Sequence, residues 1–107
     1  KQYNNWYLMK GKAYKNKPVL SSYLSGCFML CQRKVLEKVD WFDENYFMYL
    51  EDADLTRKIS KTHKCVHYPK LAVNHVWERD NRKRLPMIYH AIRSYIVYSL
   101  KWGLKII

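Results

Sequence analysis

The chain has 107 residues, 20 of them Lys or Arg and 9 Asp or Glu, for a formal net charge of +11. At 49% apolar and 16% aromatic it has the material for a core, which excludes a disordered basic tail, and three glycines and three prolines exclude a collagen-like or low-complexity chain. One domain is the upper bound at this length.

In chain order, residues 1–18 are Lys-rich, without an acid, and close at Pro18; they read as a basic linker or loop. Residues 19–31 (VLSSYLSGCFMLC) form an apolar run broken at Gly26, the pattern of a buried strand with a close backbone approach at the glycine. Val35, Leu36 and Val39 have helical spacing, for a short helix ending near Asp40. The aromatic segment from Trp41 to Leu50 has no regular period and reads as a loop. Glu51 to Ser60 carries acids in its first turn and bases in its last, matching the helix macrodipole, with Leu55 and Ile59 on one face. Lys64–Tyr68 and Leu71–Val76 read as short strands, the first placing Cys65 on one face with His63 and His67. After the basic run Arg82-Lys83-Arg84, a long amphipathic helix is expected from about Leu85 to Leu100. Its stripe is Leu85, Ile88, Ile92, Tyr95, Ile96 and Leu100, and Trp102, Ile106 and Ile107 extend the apolar character. The stripe suits either packing on the domain's own sheet or an anionic membrane surface. The organisation expected is one partial domain: linker 1–18, α/β core 19–81 and basic C-terminal helix 82–107.

The acids are concentrated. Residues 1–20 hold five bases and no acid, residues 61–107 hold ten bases and two acids, and residues 21–60 hold five bases and seven acids. Six of those seven, Asp40, Asp43, Glu44, Glu51, Asp52 and Asp54, fall within fifteen residues. Clustered carboxylates raise one another's pKa unless a base, a metal or a cationic substrate compensates them, so the cluster is a site candidate. The aromatic loop beside it, with Trp41 and Tyr49, is a candidate binding wall.

Three other readings compete with a catalytic site. A zinc site built from Cys27, Cys31, His63, Cys65 and His67 has suitable ligand types, but its cysteine pair lies in an apolar run rather than a tight turn, so buried apolar cysteines are preferred. A nucleic-acid groove fits the basic, aromatic composition, but the acidic centre opposes it and no nucleic-acid-binding signature is present. A non-catalytic basic module for nucleic acid or anionic membrane is the alternative to an enzyme. The odd cysteine count and the absence of an apolar signal core in Lys1-Gln2-Tyr3-Asn4-Asn5 give the expectation of a reduced, cytoplasmic protein. Basic residues interrupt every apolar run before the roughly 20 residues that span a bilayer.

The ordered string Ser25-Gly26-Cys27-Phe28-Met29-Leu30, Arg33, and Trp41-Phe42-Asp43-Glu44-Asn45-Tyr46-Phe47-Met48-Tyr49-Leu50-Glu51-Asp52-Ala53-Asp54-Leu55-Thr56-Arg57, followed by Tyr68-Pro69 and Asn74-His75, resembles the C-terminal half of glycosyltransferase family 2 enzymes. Within that family it is most similar to the rhamnosyltransferase-like group that builds O-antigen and capsule. Arg93-Ser94-Tyr95 and Lys101-Trp102-Gly103 are also similar, so the likeness covers about residues 19–103.

The resemblance implies the acceptor-side part of a GT-A type fold, α/β in class, with few short strands, a middle helix and the long C-terminal helix. It implies inverting transfer of a sugar from a nucleotide-sugar donor, held by an absent N-terminal half, to a glycan or lipid-linked acceptor. Asp52 takes the place of the catalytic base, with Glu51, Asp54, Trp41, Asp43, Tyr49 and Arg57 binding or orienting the acceptor. His75 takes the place of a late histidine that helps ligate a divalent metal, Mg²⁺ or Mn²⁺ in the full-length enzyme. A chain of this kind is expected peripherally at the inner face of the plasma membrane, inactive alone, and able to form a homodimer through exposed apolar surface.

Two departures stand out. The family usually has glycine where this chain has Asp40 and His63, and Asp52-Ala53-Asp54 opens a helix, so it is not the family's metal-binding DxD at a strand end.

Overall fold

The computed structural model describes residues 17–76 and 85–103. Five elements follow in order: strand β1 (Val19–Leu20), helix α1 (Arg33–Lys38), helix α2 (Glu51–Ser60), strand β2 (Val66–His67) and helix α3 (Leu85–Trp102). The basic segment 1–16, the run Arg82–Arg84 and the tail Ile106-Ile107 lie outside the described residues.

Helix α2 forms where the charge pattern placed it, and it buries two faces. Ala53 joins Tyr46 and Tyr98 in one cluster, flanked by Tyr23, Leu50, Val97 and Trp102. Leu55 and Ile59 join Cys65 in the other, flanked by Leu24, Met29, Cys31, Val35, Leu36 and Val39. The helix is thus clamped between the aromatic loop with α3 on one side and the residues around α1 and β2 on the other.

The sheet is smaller than the apolar runs suggest. β1 and β2 pair antiparallel, Val19 opposite His67 and Leu20 opposite Val66, and Ser21 N–H adds one bond to Cys65 O at 3.0 Å. Beyond Ser21 the backbone finds side-chain partners instead of a ladder. The Ser21 hydroxyl donates to Tyr23 O at 2.6 Å and accepts Tyr23 N–H at 3.4 Å, a local turn that competes with strand pairing. Leu24 N–H then donates to Thr56 Oγ1 at 3.3 Å, and the Thr56 hydroxyl donates to Asp52 O at 2.7 Å. The expected strand 19–31 therefore ends at Leu20, and residues 71–76 are irregular and exposed rather than a strand.

The aromatic loop is bracketed by left-handed backbone. Asp40 and Trp41 at its start have φ of 58° and 49°, and Tyr49 and Leu50 at its end have 70° and 66°. Asp tolerates this region better than most residues, whereas Trp, Tyr and Leu do not, so four such positions confine the loop to a narrow set of shapes. At Asp40 the φ accounts for the glycine usual in the resembling family.

Helix α3 packs by the face opposite to its apolar stripe. Ser94 and Tyr98 are buried, and the Ser94 hydroxyl donates to Met48 O at 2.6 Å. Of the two settings foreseen for the stripe, packing on the domain's own sheet is not found: Leu85, Ile88, Ile92, Tyr95, Ile96 and Leu100 are all exposed.

Candidate functional site

At about 100° per helical residue, two positions apart lie nearly opposite, so α2 sends Asp52 and Asp54 to different sides. What reads as one acidic cluster in sequence becomes two sites.

On the first side, Asp52 meets the broken apolar run. Its Oδ2 accepts the Tyr23 hydroxyl at 2.8 Å and Gly26 N–H at 2.8 Å, and its Oδ1 accepts Ala53 N–H at 2.8 Å. The backbone at Gly26 comes so close that a Cβ built there would stand 3.2 Å from Asp52 Cβ, which is why the run breaks at a glycine. Tyr23 was not among the residues singled out from the sequence. The one available signal was its spacing, three residues before the glycine that approaches the carboxylate.

Glu51 sits beside this group, half-buried. Its Oε2 is buried and finds no hydrogen-bond partner among the described residues. Burial, opposed in part by its own backbone N–H and supplemented by the charge of Asp52, holds its pKa above the ordinary 4.5.

On the second side, Asp54 is fully buried and organises a network of charge and aromatics. Its Oδ1 accepts Trp102 Nε1–H at 2.6 Å and is approached by the Tyr46 hydroxyl at 3.5 Å. Lys101 Nζ stands 2.9 Å from Asp54 Oδ1 and 2.7 Å from Asp43 Oδ2, and Lys58 Nζ is 3.9 Å from Asp54 Oδ2. Desolvation pulls the Lys101 ammonium down, but the hydrogen bonds and charges of Asp43 and Asp54 outweigh it and leave its pKa raised. The Lys101 hydrogen bond, against some desolvation and helped by bonds from Asn45, holds Asp43 at about 2. Burial and the charges of Asp54 and Asp43 push the Tyr46 hydroxyl well above its usual value.

Arg57 extends this side. Its Nη1 donates to the Tyr98 hydroxyl at 3.2 Å and its guanidinium lies 4.8 Å from the centroid of the Trp102 ring, a cation–π arrangement shared with Lys61 at 4.5 Å. Trp41 and Asp43 border a cavity of about 610 Å³ that Val39, Phe42, Lys58 and Lys101 also line. Tyr49 is exposed at the far end of the aromatic loop.

Among the described residues no three His, Cys, Asp or Glu side chains come together to hold a metal ion. Cys27 is exposed, Cys31 half-buried and Cys65 buried, where desolvation raises its thiol pKa. His75 lies in irregular, exposed chain and supplies at most one imidazole to a metal; the residues present do not assemble a metal site by themselves.

The described residues thus define a mixed α/β unit that fixes one carboxylate, Asp52, in a niche of a tyrosine hydroxyl and backbone N–H groups, and braces its helix from the other side through Asp54. The chain is a distant homologue of rhamnosyltransferases, which bears out the resemblance to glycosyltransferase family 2. It is 32% identical over 84 residues to rhamnosyltransferase WbbL of Escherichia coli K12, a match covering 78% of this chain and 28% of that protein. It is 46% identical over 39 residues to the N-acetylglucosaminyl-diphospho-decaprenol L-rhamnosyltransferase of Mycobacterium tuberculosis, covering 36% of this chain and 13% of that one. The match therefore spans little more than a quarter of the length of the first relative and about an eighth of the second. No family model matches the chain, and no solved structure does.

Proposed function

We propose that this chain is the acceptor-side part of a GT-A type inverting glycosyltransferase of cell-surface polysaccharide synthesis, with Asp52 as the general base. The observation that carries the reading is the bonding of that carboxylate. Each carboxylate oxygen has two lone pairs. Among the described residues both on Oδ2 are engaged, by Tyr23 and Gly26, whereas Oδ1 takes one bond, from Ala53, leaving one lone pair for an acceptor hydroxyl.

In this reading the acceptor hydroxyl gives its proton to Asp52 Oδ1 as its oxygen attacks the anomeric carbon of the donor sugar. The new glycosidic C–O bond forms while the bond from that carbon to the nucleoside diphosphate breaks, and the diphosphate leaves with the electron pair. A positioned base of this kind contributes roughly 10²–10⁴-fold to rate. Tyr23 and Gly26 hold the carboxylate without taking the proton. Asp54, Asp43 and Arg57 act at one remove, fixing α2 against α3, and Trp41 borders the cavity on that second side rather than the niche of Asp52. The donor and its metal counter-ion belong in this reading to the remainder of a longer enzyme. The acceptor class follows the Mycobacterium relative, whose name specifies a sugar on a diphospho-polyprenol.

The test is a two-dimensional NMR titration of the chain with a water-soluble N-acetylglucosaminyl diphosphate analogue. Saturable shifts centred on Tyr23, Gly26 and Asp52 are expected. Shifts confined to other residues, or none beside a steeply salt-dependent response to an oligonucleotide, would reject the reading for a basic binding module.

A further inference from the structure

The segment that carries Tyr23 and Gly26 is not held by a sheet. Strand β1 ends at Leu20, and past Ser21 the backbone has no strand partner among the described residues. Three donors of the segment reach α2 instead: the Tyr23 hydroxyl, Leu24 N–H and Gly26 N–H. The first and last end on Asp52 Oδ2, and the middle one ends on Thr56 Oγ1. Thr56 stands about one helical turn after Asp52 and is 0% exposed. Its hydroxyl donates to Asp52 O, four residues back, at 2.7 Å and accepts Leu24 N–H at 3.3 Å. A hydroxyl has one hydrogen, and Leu24 O at 3.4 Å is the longer alternative for it, so the bond back to the helix leaves an Oγ1 lone pair turned to the segment.

We propose that Thr56 is a positioning residue for the reaction assigned to Asp52: its hydroxyl pins Leu24 to α2 and so keeps Tyr23 and Gly26 on one oxygen of that carboxylate, leaving the other oxygen to the acceptor. Leu24 lies between the two donors in sequence, so a shift of its backbone moves both of them. A valine at position 56 would fill nearly the same space but leave Leu24 N–H without its acceptor, and a buried donor in that state draws the segment toward water. The carboxylate would then be free to turn, and the lone pair of Oδ1 would lose its fixed direction. Every bond in this series lies within the described residues, so it does not depend on what the remainder of a longer enzyme covers. It rests on the reading of Asp52 as the base, because without that role Thr56 only ties a loop to a helix.

In a transferase containing this chain, Thr56→Val should lower kcat about 10–100-fold, the cost of a misplaced group, with KM for donor and acceptor close to parental. Thr56→Ser, which keeps the hydroxyl, should recover most of the loss. In two-dimensional NMR spectra of the chain the Gly26 amide signal should move in Thr56→Val and return in Thr56→Ser, although that N–H bonds Asp52 and not Thr56. Thr56→Val combined with Tyr23→Phe should cost little more than the worse of the two, because both act on the same carboxylate oxygen. The proposal is overturned if folded Thr56→Val turns over at the parental rate while Asp52→Asn is impaired, if Thr56→Ser is as slow as Thr56→Val, if the Gly26 signal stays in place, or if the two effects multiply. Parental turnover of Asp52→Asn would instead reject the base itself, and that variant alone tells the two failures apart. Should Thr56→Val not fold, hydrogen exchange of the parent decides: joint protection of the Leu24 and Gly26 amides supports the proposal, and exchange as free as in an unfolded chain overturns it.

Discussion

Glu51 and Asp52 are neighbours in sequence with opposite treatment by the fold. Asp52 receives three hydrogen bonds, whereas Glu51 is half-buried with one oxygen unpartnered. For Glu51 the consequence is a pH dependence of stability with a definite sign. Its folded-state pKa lies above 4.5, so below that value both folded and unfolded chains hold the proton and the residue costs nothing. As pH rises past 4.5 the unfolded chain releases its proton first, stability falls, and the cost persists at neutral pH. Glu51→Gln should therefore raise the melting temperature at neutral pH, with the gain shrinking below pH 4.5. Thermal unfolding followed by circular dichroism at the two pH values measures this, and a variant that melts lower at neutral pH would mean that the Glu51 charge is compensated. None of this difference was visible in the letters Glu-Asp, because it depends on Tyr23 and Gly26, which lie 29 and 26 residues away along the chain.

At the level of elements, legibility followed where each segment finds its partners. Helix α2 was readable because its signals are local: acids at one end, bases at the other, and apolar residues four apart. The strands were over-read because an apolar run does not say whether its backbone will meet another strand or, as at Leu24, a threonine side chain from a helix. The apolar stripe of α3 is legible in the sequence, whereas the direction it faces stays open there, since the face that packs is chosen by Ser94 reaching Met48 O and by Tyr98 meeting Arg57. The division of the acids was hidden for the same reason. Asp54 joins the α2 and α3 helices through Lys101 and Trp102, so truncating it leaves the indole N–H without its acceptor and Lys101 with Asp43 alone. Asp54→Ala should cost about 1–3 kcal/mol, the range for a buried polar group left without its partner. Urea denaturation reads this directly, and a loss no larger than that of an exposed Arg33–Glu37 pair would show that the network does not brace the helices.

Over the described residues, a basic chain folds so that Asp52 and Asp54 are held in two separate settings while apolar side chains of its last helix face outward. One setting is structural, centred on Asp54; the other leaves a single lone pair of Asp52 available. The homology to rhamnosyltransferases was legible in the ordered string around residues 41–57, whereas the positioning of Asp52 by Tyr23 and Gly26 required the fold. The most direct measurement of the central claim is turnover of a transferase containing this chain, comparing the parent with Asp52→Asn at saturating donor and acceptor. The account predicts a fall of about 10²–10⁴-fold with unchanged circular dichroism and melting behaviour, and a folded Asp52→Asn enzyme that turns over at the parental rate would contradict it.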